Sequence, residues 1–220
     1  MPLYRHDARF KRLAETALAA WRDIPPAIAS DCMNRSQVMA ARIKPLAPGT
    51  RLAGQARTVA CMVGDNSAIH AAIRLIGPGE VLVIDAGGHA DTALWGGLLT
   101  QAALSRGLAG VVIDGAVRDI AEIREAGFAC FAAAAVPAGP HKGFGGAIDC
   151  VIACAGCTVA PGDIILGDDD GIAVVPMGRA DAVLADCRAK LAQEETALEQ
   201  LRQGTLLADQ MGIPEPTLIE

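Results

Sequence analysis

The feature that most constrains the fold is an apolar run that ends in a glycine turn carrying two charged residues. Residues 110–114 read Gly-Val-Val-Ile-Asp, Gly115 follows, and Arg118 and Asp119 close the turn. A short apolar run bounded by glycines is typical of a buried strand. In open α/β sheets, ligands bind in the loops beyond the carboxyl ends of the strands. The run therefore predicts a central strand that delivers Arg118 and Asp119 to a site.

The same two side chains also allow a simpler interpretation. Arg118 and Asp119 can form an ion pair at a strand-to-helix turn, with Asp119 as the N-cap of a helix from Ile120. As functional groups, the guanidinium would bind a carboxylate or enolate, and the carboxylate would hold a divalent cation. The local residues leave both interpretations open.

Strand and helix patterns alternate along the rest of the chain. The predicted helices are 7–24, a short helix from Pro26, 67–76, a stretch from His89 to Arg106, 119–126 and 178–203. The predicted strands are 51–63, 81–85, 110–114, 129–131, 147–153, 158–160, 164–166 and 172–175. This alternation favours βαβ crossovers and a largely parallel sheet.

Composition supports α/β layering around a core with few aromatic side chains. Hydrophobic residues make up 52% of the chain and aromatic residues only 3%, so Ala, Val, Leu and Ile must fill the core. A length of 220 residues suits one domain, which we expect to span residues 1–220.

Charge and hydropathy argue against several classes of partner. The formal charge is −6, and no basic cluster interleaved with aromatic residues is present, so we expect no nucleic-acid partner. The N-terminus lacks an apolar signal region, and the apolar runs are broken before about 18 residues. We therefore expect a cytoplasmic protein with no membrane association. Most of the seven cysteines lie in apolar runs, as reduced core residues would.

Two metal-like patterns are interpreted as structural. Cys150, Cys154 and Cys157 have the C-x3-C-x2-C spacing of an iron–sulfur motif, but they lie in a strand-like apolar run rather than an open loop. Residues 168–171, Asp-Asp-Asp-Gly, lack the remainder of a calcium-binding loop. We predict core cysteines and a solvated turn between two strands.

Glycine-rich stretches offer other groups that could contact a ligand. His89 and His141 lie in such loops, whereas His70 is interpreted as a packed, hydrogen-bonded histidine. The backbone amides of a helix start can hold a carboxylate, and four residues are candidates for this: Gly96, Gly97, Leu98 and Leu99. No lysine lies in an apolar strand, so carbonyl chemistry here would need a metal.

Longer motifs carry a family resemblance. They are Gly64-Asp65-Asn66, Pro78-Gly79-Glu80-Val81, Ala93-Leu-Trp95-Gly96, the run 107–119 and the run 161–172. From about residue 25 to residue 204 the chain resembles the family that groups 4-hydroxy-4-methyl-2-oxoglutarate aldolases with ribonuclease-regulator A proteins. Some members carry an older label of dimethylmenaquinone methyltransferase. The resemblance implies an α/β/α sandwich of the swivelling phosphohistidine-domain type, here with N- and C-terminal helices, assembled as homotrimers or homohexamers with intersubunit active sites.

The resemblance also implies a site. The backbone from Gly96 to Leu99 would bind the carboxylate of a pyruvoyl group, and Arg118 would hold the substrate. Asp119 would ligate Mg²⁺, with Mn²⁺ or another divalent cation as alternatives. Glu122 and Asp65 would lie next to these groups and support them without binding the cation directly. The cation would polarise the 2-keto group and stabilise the enolate of pyruvate.

At one position the chain departs from the family's aldolase pattern, which is an acidic residue, twenty residues, Arg-Asp, two residues and another acid. Arg118-Asp119 and Glu122 fit, but Gly97 occupies the first acidic position. Glu122, or a neighbouring subunit's acid such as Glu194 or Glu195, could supply the missing carboxylate. The ribonuclease-regulator branch generally lacks the metal aspartate, so the presence of Asp119 argues against that branch.

The expected function is therefore that of a divalent-metal-dependent lyase acting on a small 2-oxo acid. It would cleave 4-hydroxy-4-methyl-2-oxoglutarate or a related 4-hydroxy-2-oxo acid to pyruvate, and it could also decarboxylate oxaloacetate. The alternative is a non-catalytic regulator that binds an RNA-degrading enzyme.

Overall fold

A computed structural model describes residues 2–219 and shows a mixed α/β fold with helices packed on a central sheet. The strands are β1 Leu3–Arg5, β2 Lys44–Pro45, β3 Leu52–Cys61, β4 Glu80–Trp95, β5 Gly110–Val117, β6 Ala129–Ala135, β7 Gly146–Ile148, β8 Ile152–Cys154, β9 Cys157–Val159, β10 Ile164–Asp168 and β11 Gly171–Val175. The helices are α1 Glu15–Ala19, α2 Pro26–Cys32, α3 Ser67–Ile73, α4 Gly97–Ser105, α5 Ile120–Glu125, α6 Ala180–Arg202 and α7 Leu207–Gln210. Within the described residues, no helix is long and apolar enough to cross a membrane.

The central sheet has nine strands, and its middle is parallel. The main order is β1-β7-β3-β4-β5-β6-β2, and β10 pairs with both β3 and β11. Strands β3, β4, β5 and β6 run parallel to one another, which confirms the predicted crossover pattern. The carboxyl ends of β4 and β5 therefore lie side by side at one edge of the sheet.

Apolar side chains cover both faces of these central strands. Along β4 and β5, Leu82, Ile84 and Ile113 belong to the cluster on one face, and Val83 and Val112 belong to the cluster on the other. A strand that is buried on both faces needs a continuous apolar run rather than an alternating one. This explains why the sequence shows unbroken Val, Leu and Ile runs at 81–84 and 111–113.

The predicted helix from His89 to Arg106 is wrong over its first half. Strand β4 continues to Trp95, and α4 begins only at Gly97. Gly87 and Gly88 have φ of 66° and 71°, which lets the strand turn and then resume pairing with β5 after shifts in register. Pairing with a neighbouring strand therefore overrides the local helical pattern.

Two other predicted elements are shorter or divided in the structure. Only α1 is helical within the predicted helix 7–24, because Gln55 binds the preceding segment through the Leu13 amide and the Lys11 carbonyl, at 2.7 and 3.0 Å. The predicted strand 147–153 is divided into β7 and β8 around Asp149, whose φ is 61°. The C-terminal helix, predicted over 178–203, is confirmed as α6.

A buried charge cluster ties together segments that are distant in sequence. Arg57 on β3 donates to Asp149 at 2.7 and 2.8 Å and to Glu80 at 3.0 and 3.3 Å. Arg5 and Arg12 of the N-terminal segment add a pair to Asp149 at 3.0 Å and to Glu80 at 3.1 Å. Burial favours the neutral form of Arg57, but the two carboxylates outweigh this and raise the pKa of its guanidinium.

Another buried carboxylate, that of Asp65, anchors the segment 136–145 between β6 and β7. Asp65 accepts hydrogen bonds from the backbone amides of Ser67 at 2.8 Å and Phe144 at 3.1 Å. Burial disfavours the charged form, but these hydrogen bonds outweigh that effect and lower the pKa of the Asp65 carboxyl. Asp65 therefore fixes segment 136–145 against the start of α3.

We predict that Arg57→Met destabilises the protein by about 3–5 kcal/mol, because two buried carboxylates lose their shared partner. Urea unfolding followed by circular dichroism measures this difference. The matched control is Arg9→Met, which removes an exposed pair with Asp7 and should change stability by no more than about 0.5 kcal/mol. Equal effects of the two variants would contradict the importance of the buried cluster.

We predict that Asp65→Asn lowers stability at pH 7 by about 1–3 kcal/mol, because an amide cannot accept both backbone hydrogen bonds as well as a carboxylate does. A lowered pKa in the folded state means that the stabilisation is present above the unfolded pKa of about 3.9 and is lost as the pH falls through the folded value. Thermal unfolding from pH 7 to about pH 3 should show the difference between variant and wild type shrinking below about pH 4. Asp23→Asn, at an exposed carboxyl, should follow the wild type throughout.

Candidate active site

A cavity of about 430 Å³ opens at the carboxyl ends of β4 and β5. Its wall is made by the end of β4, the start of α4, the turn after β5, the start of α3 and segment 136–145. The amide of Arg118 donates to the carbonyl of Trp95 at 2.9 Å, which joins the turn after β5 to the end of β4. The cavity lies where the sequence predicted that the apolar strand would deliver its charged turn.

Arg118 and Asp119 both line this cavity, and they occupy a very short turn between β5 and α5. Asp119 has φ 58° and ψ 39°, a left-handed conformation that is uncommon for residues other than glycine. Its carboxylate lies 3.6 Å from Nε of Arg118, so the predicted ion pair is present. Asp119 is the N-cap residue of α5 but does not cap it with its side chain. Instead, its Oδ2 accepts a hydrogen bond of 3.0 Å from the amide of Gly97, the first residue of α4.

The start of α4 is the second half of the site. The Trp95 indole donates to Thr100 Oγ1 at 2.8 Å, and Thr100 Oγ1 lies 3.1 Å from the carbonyl of Gly96, so the first turn is held firmly. The first amides of a helix have no intrahelical acceptor and carry a partial positive charge. Asp119 accepts a hydrogen bond from the Gly97 amide, and the next two amides of the helix are those of Leu98 and Leu99.

Of the predicted carboxylate-binding residues, three lie on the cavity wall and one is covered. Gly96, Leu98 and Leu99 line the cavity. Gly97 is buried, because the Glu122 carboxylate covers its Cα and itself lines the cavity. Glu122 therefore faces the same space as Asp119.

Asp65 does not lie on the cavity wall, because both of its oxygens bind backbone amides. Its connection with the site is indirect: it holds the loop that carries Lys142. The histidines His89 and His141 also lie outside the cavity lining. His89 contacts Thr92 at 3.2 Å, and His141 packs against Phe144.

Three polar residues of the cavity wall were not selected as site residues from the sequence. Asn66 donates through Nδ2 to the Leu94 carbonyl at 3.0 Å. Its Oδ1 is the one buried side-chain polar atom within residues 2–219 that has no hydrogen-bond partner. Such an atom calls for a ligand or water. Lys142 and His70 complete this wall, and the packed interpretation of His70 is wrong because its side chain is exposed.

The surroundings of His70 lower the pKa of its imidazole. Although much of His70 is exposed, the part of its ring that is shielded from water lowers the pKa, and the nearby Lys142 ammonium lowers it further, while Asp65 acts in the opposite direction. His70 is therefore mainly neutral at pH 7. One sequence signal could have indicated that His70 belongs to the site. It follows Asn66 of the Gly64-Asp65-Asn66 motif by four residues, a spacing that places both on the same face of a helix.

The donor set of the cavity fits a hard divalent cation. The carboxylates of Asp119 and Glu122 and the unpaired Asn66 oxygen are all oxygen donors on its wall. Among the described residues no group of three His, Cys, Asp or Glu side chains is arranged to hold a metal. Zinc sites use several such protein ligands, whereas Mg²⁺ keeps several waters and accepts one or two carboxylates. Oxygen donors of this kind are ligands that Mg²⁺ or Mn²⁺ accepts.

The cysteine pattern at 150–157 and the Asp-Asp-Asp-Gly pattern at 168–171, both interpreted from the sequence as structural, lie in the β8–β9 hairpin and at the β10–β11 connection. Cys154 and Cys157 are buried and face each other across the β8–β9 hairpin, which confirms them as core residues. Residues 168–171 form the tight connection between β10 and β11, where Asp169 accepts a hydrogen bond from the Gly49 amide at 2.9 Å.

Comparisons with known proteins identify relatives over most of the chain. A protein of Halalkalibacterium halodurans is 36% identical over 178 residues, covering 81% of this chain and 85% of its own. Its name provisionally assigns it 4-hydroxy-4-methyl-2-oxoglutarate aldolase activity. A protein of Thermus thermophilus named as that aldolase is 36% identical over 147 residues, covering 67% of this chain and 89% of its own.

A solved structure carries a different description. It is described as the RNA-processing inhibitor RraA from Thermus thermophilus, and it is 35% identical with a TM-score of 0.63, covering 69% of this chain and 92% of its own. Residues 26–174 match the RraA-like family, described as Aldolase/RraA. The chain belongs to the RraA-like family.

Proposed function

We propose that the protein is a divalent-metal-dependent lyase, a class II pyruvate aldolase. Its substrate would be 4-hydroxy-4-methyl-2-oxoglutarate or a related 4-hydroxy-2-oxo acid. The observation that carries the proposal is the position of Arg118 and Asp119 on the wall of one cavity, beside the first turn of α4. The names of the relatives point to the same activity.

In this proposal each element of the wall has a distinct task. The amides of Leu98 and Leu99 receive the 1-carboxylate, because the start of a helix attracts anions. Arg118 lies beside them and places its guanidinium near the oxygen that gains negative charge when the bond between C3 and C4 breaks. The 4-hydroxyl group loses its proton and C4 becomes a carbonyl, which is released as the second product. The electrons of the C3–C4 bond pass into the enolate of pyruvate, and one proton added at C3 yields pyruvate and balances the proton lost from the hydroxyl.

Asp119, assisted by Glu122, would hold Mg²⁺ or Mn²⁺. When bound, the cation supplies Lewis-acid polarisation of the 2-keto group. The hydrogen bond from Gly97 fixes the Asp119 carboxylate, which leaves its second oxygen for the cation. Oxaloacetate decarboxylation forms the same enolate of pyruvate, so we propose it as an additional activity.

A lysine on the cavity wall favours a substrate with two carboxylates. Lys142 faces the cavity from segment 136–145, and Arg118 faces it from the turn after β5. Two cations from separate elements that line a cavity of about 430 Å³ match a short dicarboxylic 2-oxo acid. Asp65 supports this wall by holding the Phe144 amide.

We also propose that the chain forms a single domain with the swivelling phosphohistidine-type α/β/α arrangement. We propose that this domain assembles as homotrimers or homohexamers and that the protein is cytoplasmic. The side chain of Leu98, at the mouth of the cavity, is 89% exposed, and Leu198 and Leu201 on α6 are also exposed. Exposed apolar side chains beside the cavity and on α6 support contacts with neighbouring subunits.

A second candidate function is that of a non-catalytic regulator that binds an RNA-degrading enzyme. The solved structure described as an RNA-processing inhibitor favours it. A regulator needs no cavity with a carboxylate and an arginine on its wall, so turnover of a 2-oxo acid distinguishes the two functions.

We predict that the wild-type protein releases pyruvate from 4-hydroxy-4-methyl-2-oxoglutarate with Mg²⁺ and loses this activity with a chelator. Asp119→Asn should reduce kcat at least about a hundredfold, because the neutral amide holds the cation poorly. A coupled lactate dehydrogenase assay measures the pyruvate. Glu125→Gln, which changes an exposed acid on the same helix, should retain activity. Full turnover by Asp119→Asn would exclude the proposed mechanism, and no turnover by the wild type would favour the regulator.

We predict that Lys142→Met raises KM for a dicarboxylic substrate about tenfold, because one charge-assisted contact to the distal carboxylate is lost. Exchange of the pyruvate methyl protons with deuterium, which involves only one carboxylate, should change much less. NMR spectroscopy follows that exchange. Lys11→Met, at an exposed lysine, is the control. An equal effect on both reactions would contradict a role for Lys142 in binding the distal carboxylate.

A further inference from the structure

Two cysteine thiols meet between helices that are far apart in the sequence. Cys32 is the last residue of α2, and Cys187 lies in the first half of α6. Cys187 belongs to an apolar cluster between these helices, and Cys32 packs against that cluster. A side-chain hydrogen bond joins the two thiols. Cys187 is fully buried, whereas Cys32 is half-buried and reaches the surface.

An ion pair joins the same two helices beside the thiols. Lys190 Nζ of α6 lies 3.0 Å from Oδ2 of Asp31, the residue that precedes Cys32. Cys187 and Lys190 are three residues apart and therefore lie on the same face of α6. The ion pair and the thiol pair are thus neighbouring contacts of one interface between helices. The side chains of Cys32 and Cys187 point towards each other, as a disulfide bond requires.

The simplest explanation is that the two cysteines are small apolar residues that fill a gap between helices. That explanation suits Cys154 and Cys157, which lie opposite each other in the β8–β9 hairpin and are both buried. Their sulfur atoms hydrogen-bond to other groups, to the Ile84 carbonyl at 3.5 Å and to Gln37 Oε1 at 3.4 Å. In the pair between α2 and α6, by contrast, the thiols contact each other and one of them is reachable from solvent.

We propose that Cys32 and Cys187 form a redox-sensitive dithiol that a hydroperoxide converts into a disulfide bond between α2 and α6. The Cys32 thiol attacks hydrogen peroxide first: a sulfur–oxygen bond forms, the oxygen–oxygen bond breaks and one water leaves. The Cys187 thiol then attacks the sulfenic acid at Cys32, so that the disulfide bond forms, the sulfur–oxygen bond breaks and a second water leaves. The two thiols lose two electrons and two protons, and the peroxide is reduced to two waters.

Burial determines the order of these steps. Burial, together with Cys32 and Asp186, raises the pKa of the Cys187 thiol to about 12. A thiol of this kind does not react with dissolved peroxide, so the attack begins at the half-buried Cys32. Cys187 can react in the second step because the sulfenic acid forms in contact with it. In a reducing compartment such a pair cycles between its two states rather than staying oxidised.

The disulfide bond would tie α6 covalently to the body of the protein. It joins residues 32 and 187, so most of the 220-residue chain lies within the closed loop. A cross-link that closes a long loop restricts the unfolded chain and thereby favours the folded state. Neither cysteine lines the cavity of the candidate active site, so the link is separate from the proposed lyase activity.

The test is oxidation of the folded, fully reduced protein with one equivalent of hydrogen peroxide, followed by denaturation, alkylation and mass spectrometry. Two of the seven cysteines should escape alkylation. Trypsin should release peptides 23–35 and 180–188 joined by a disulfide bond. The melting temperature should rise by about 5 °C on oxidation and return to its original value with dithiothreitol.

Three variants make the assignment specific. Cys32→Ser should form no disulfide bond and show no rise in melting temperature. Cys187→Ala should stop at the sulfenic acid, which dimedone traps at Cys32. Cys150→Ser changes another half-buried cysteine and should respond to peroxide as the wild type does.

The outcomes that would overturn the inference are equally specific. They are a disulfide bond between other cysteines, alkylation of all seven cysteines after peroxide treatment, or a melting temperature that does not rise on oxidation. None of these readouts involves a 2-oxo acid, so the result is independent of whether the protein is a lyase.

Discussion

The pairing of β4 with β5 is the constraint on which the candidate site depends. It continues past the bulge at Gly87 and Gly88 until Trp95 lies opposite Val117. Because the two strands end together, the start of α4 and the turn of Arg118 and Asp119 must meet. The hydrogen bond between the Gly97 amide and the Asp119 carboxylate follows directly from this register.

The charges in the molecule are arranged in two contrasting ways. Arg57, Glu80 and Asp149 are buried and satisfy one another, so they hold the sheet and the N-terminal segment in place. Arg118 and Asp119 are part-exposed and only loosely paired, at 3.6 Å, which leaves them free to engage other groups. The left-handed backbone of Asp119 supports the same view, since strained residues tend to persist where function requires them.

The sequence was sufficient for the parts of the fold that depend on local pattern. The central strands and α6 were predictable from apolar runs and helical spacing, and the position of the charged turn after β5 at the carboxyl end of a buried strand was predictable as well. The extension of β4 to Trp95 was not, because its strand geometry arises from pairing with β5 rather than from local preference. Asn66 and Lys142 were also not selected, because only tertiary contacts bring α3 and segment 136–145 to the same cavity.

Gly97 shows how a departure from a motif can be compensated in space. Counted along the sequence, the chain lacks the acidic residue that the aldolase pattern places at position 97. In three dimensions, the Glu122 carboxylate occupies the volume in which a side chain at 97 would begin. The number of carboxylates beside Asp119 therefore depends on which side chains fit in that volume. It does not depend on how many acidic positions of the motif the sequence fills. For this reason a substitution at 97 must be evaluated together with residue 122: adding an acid at 97 would displace one carboxylate while introducing another.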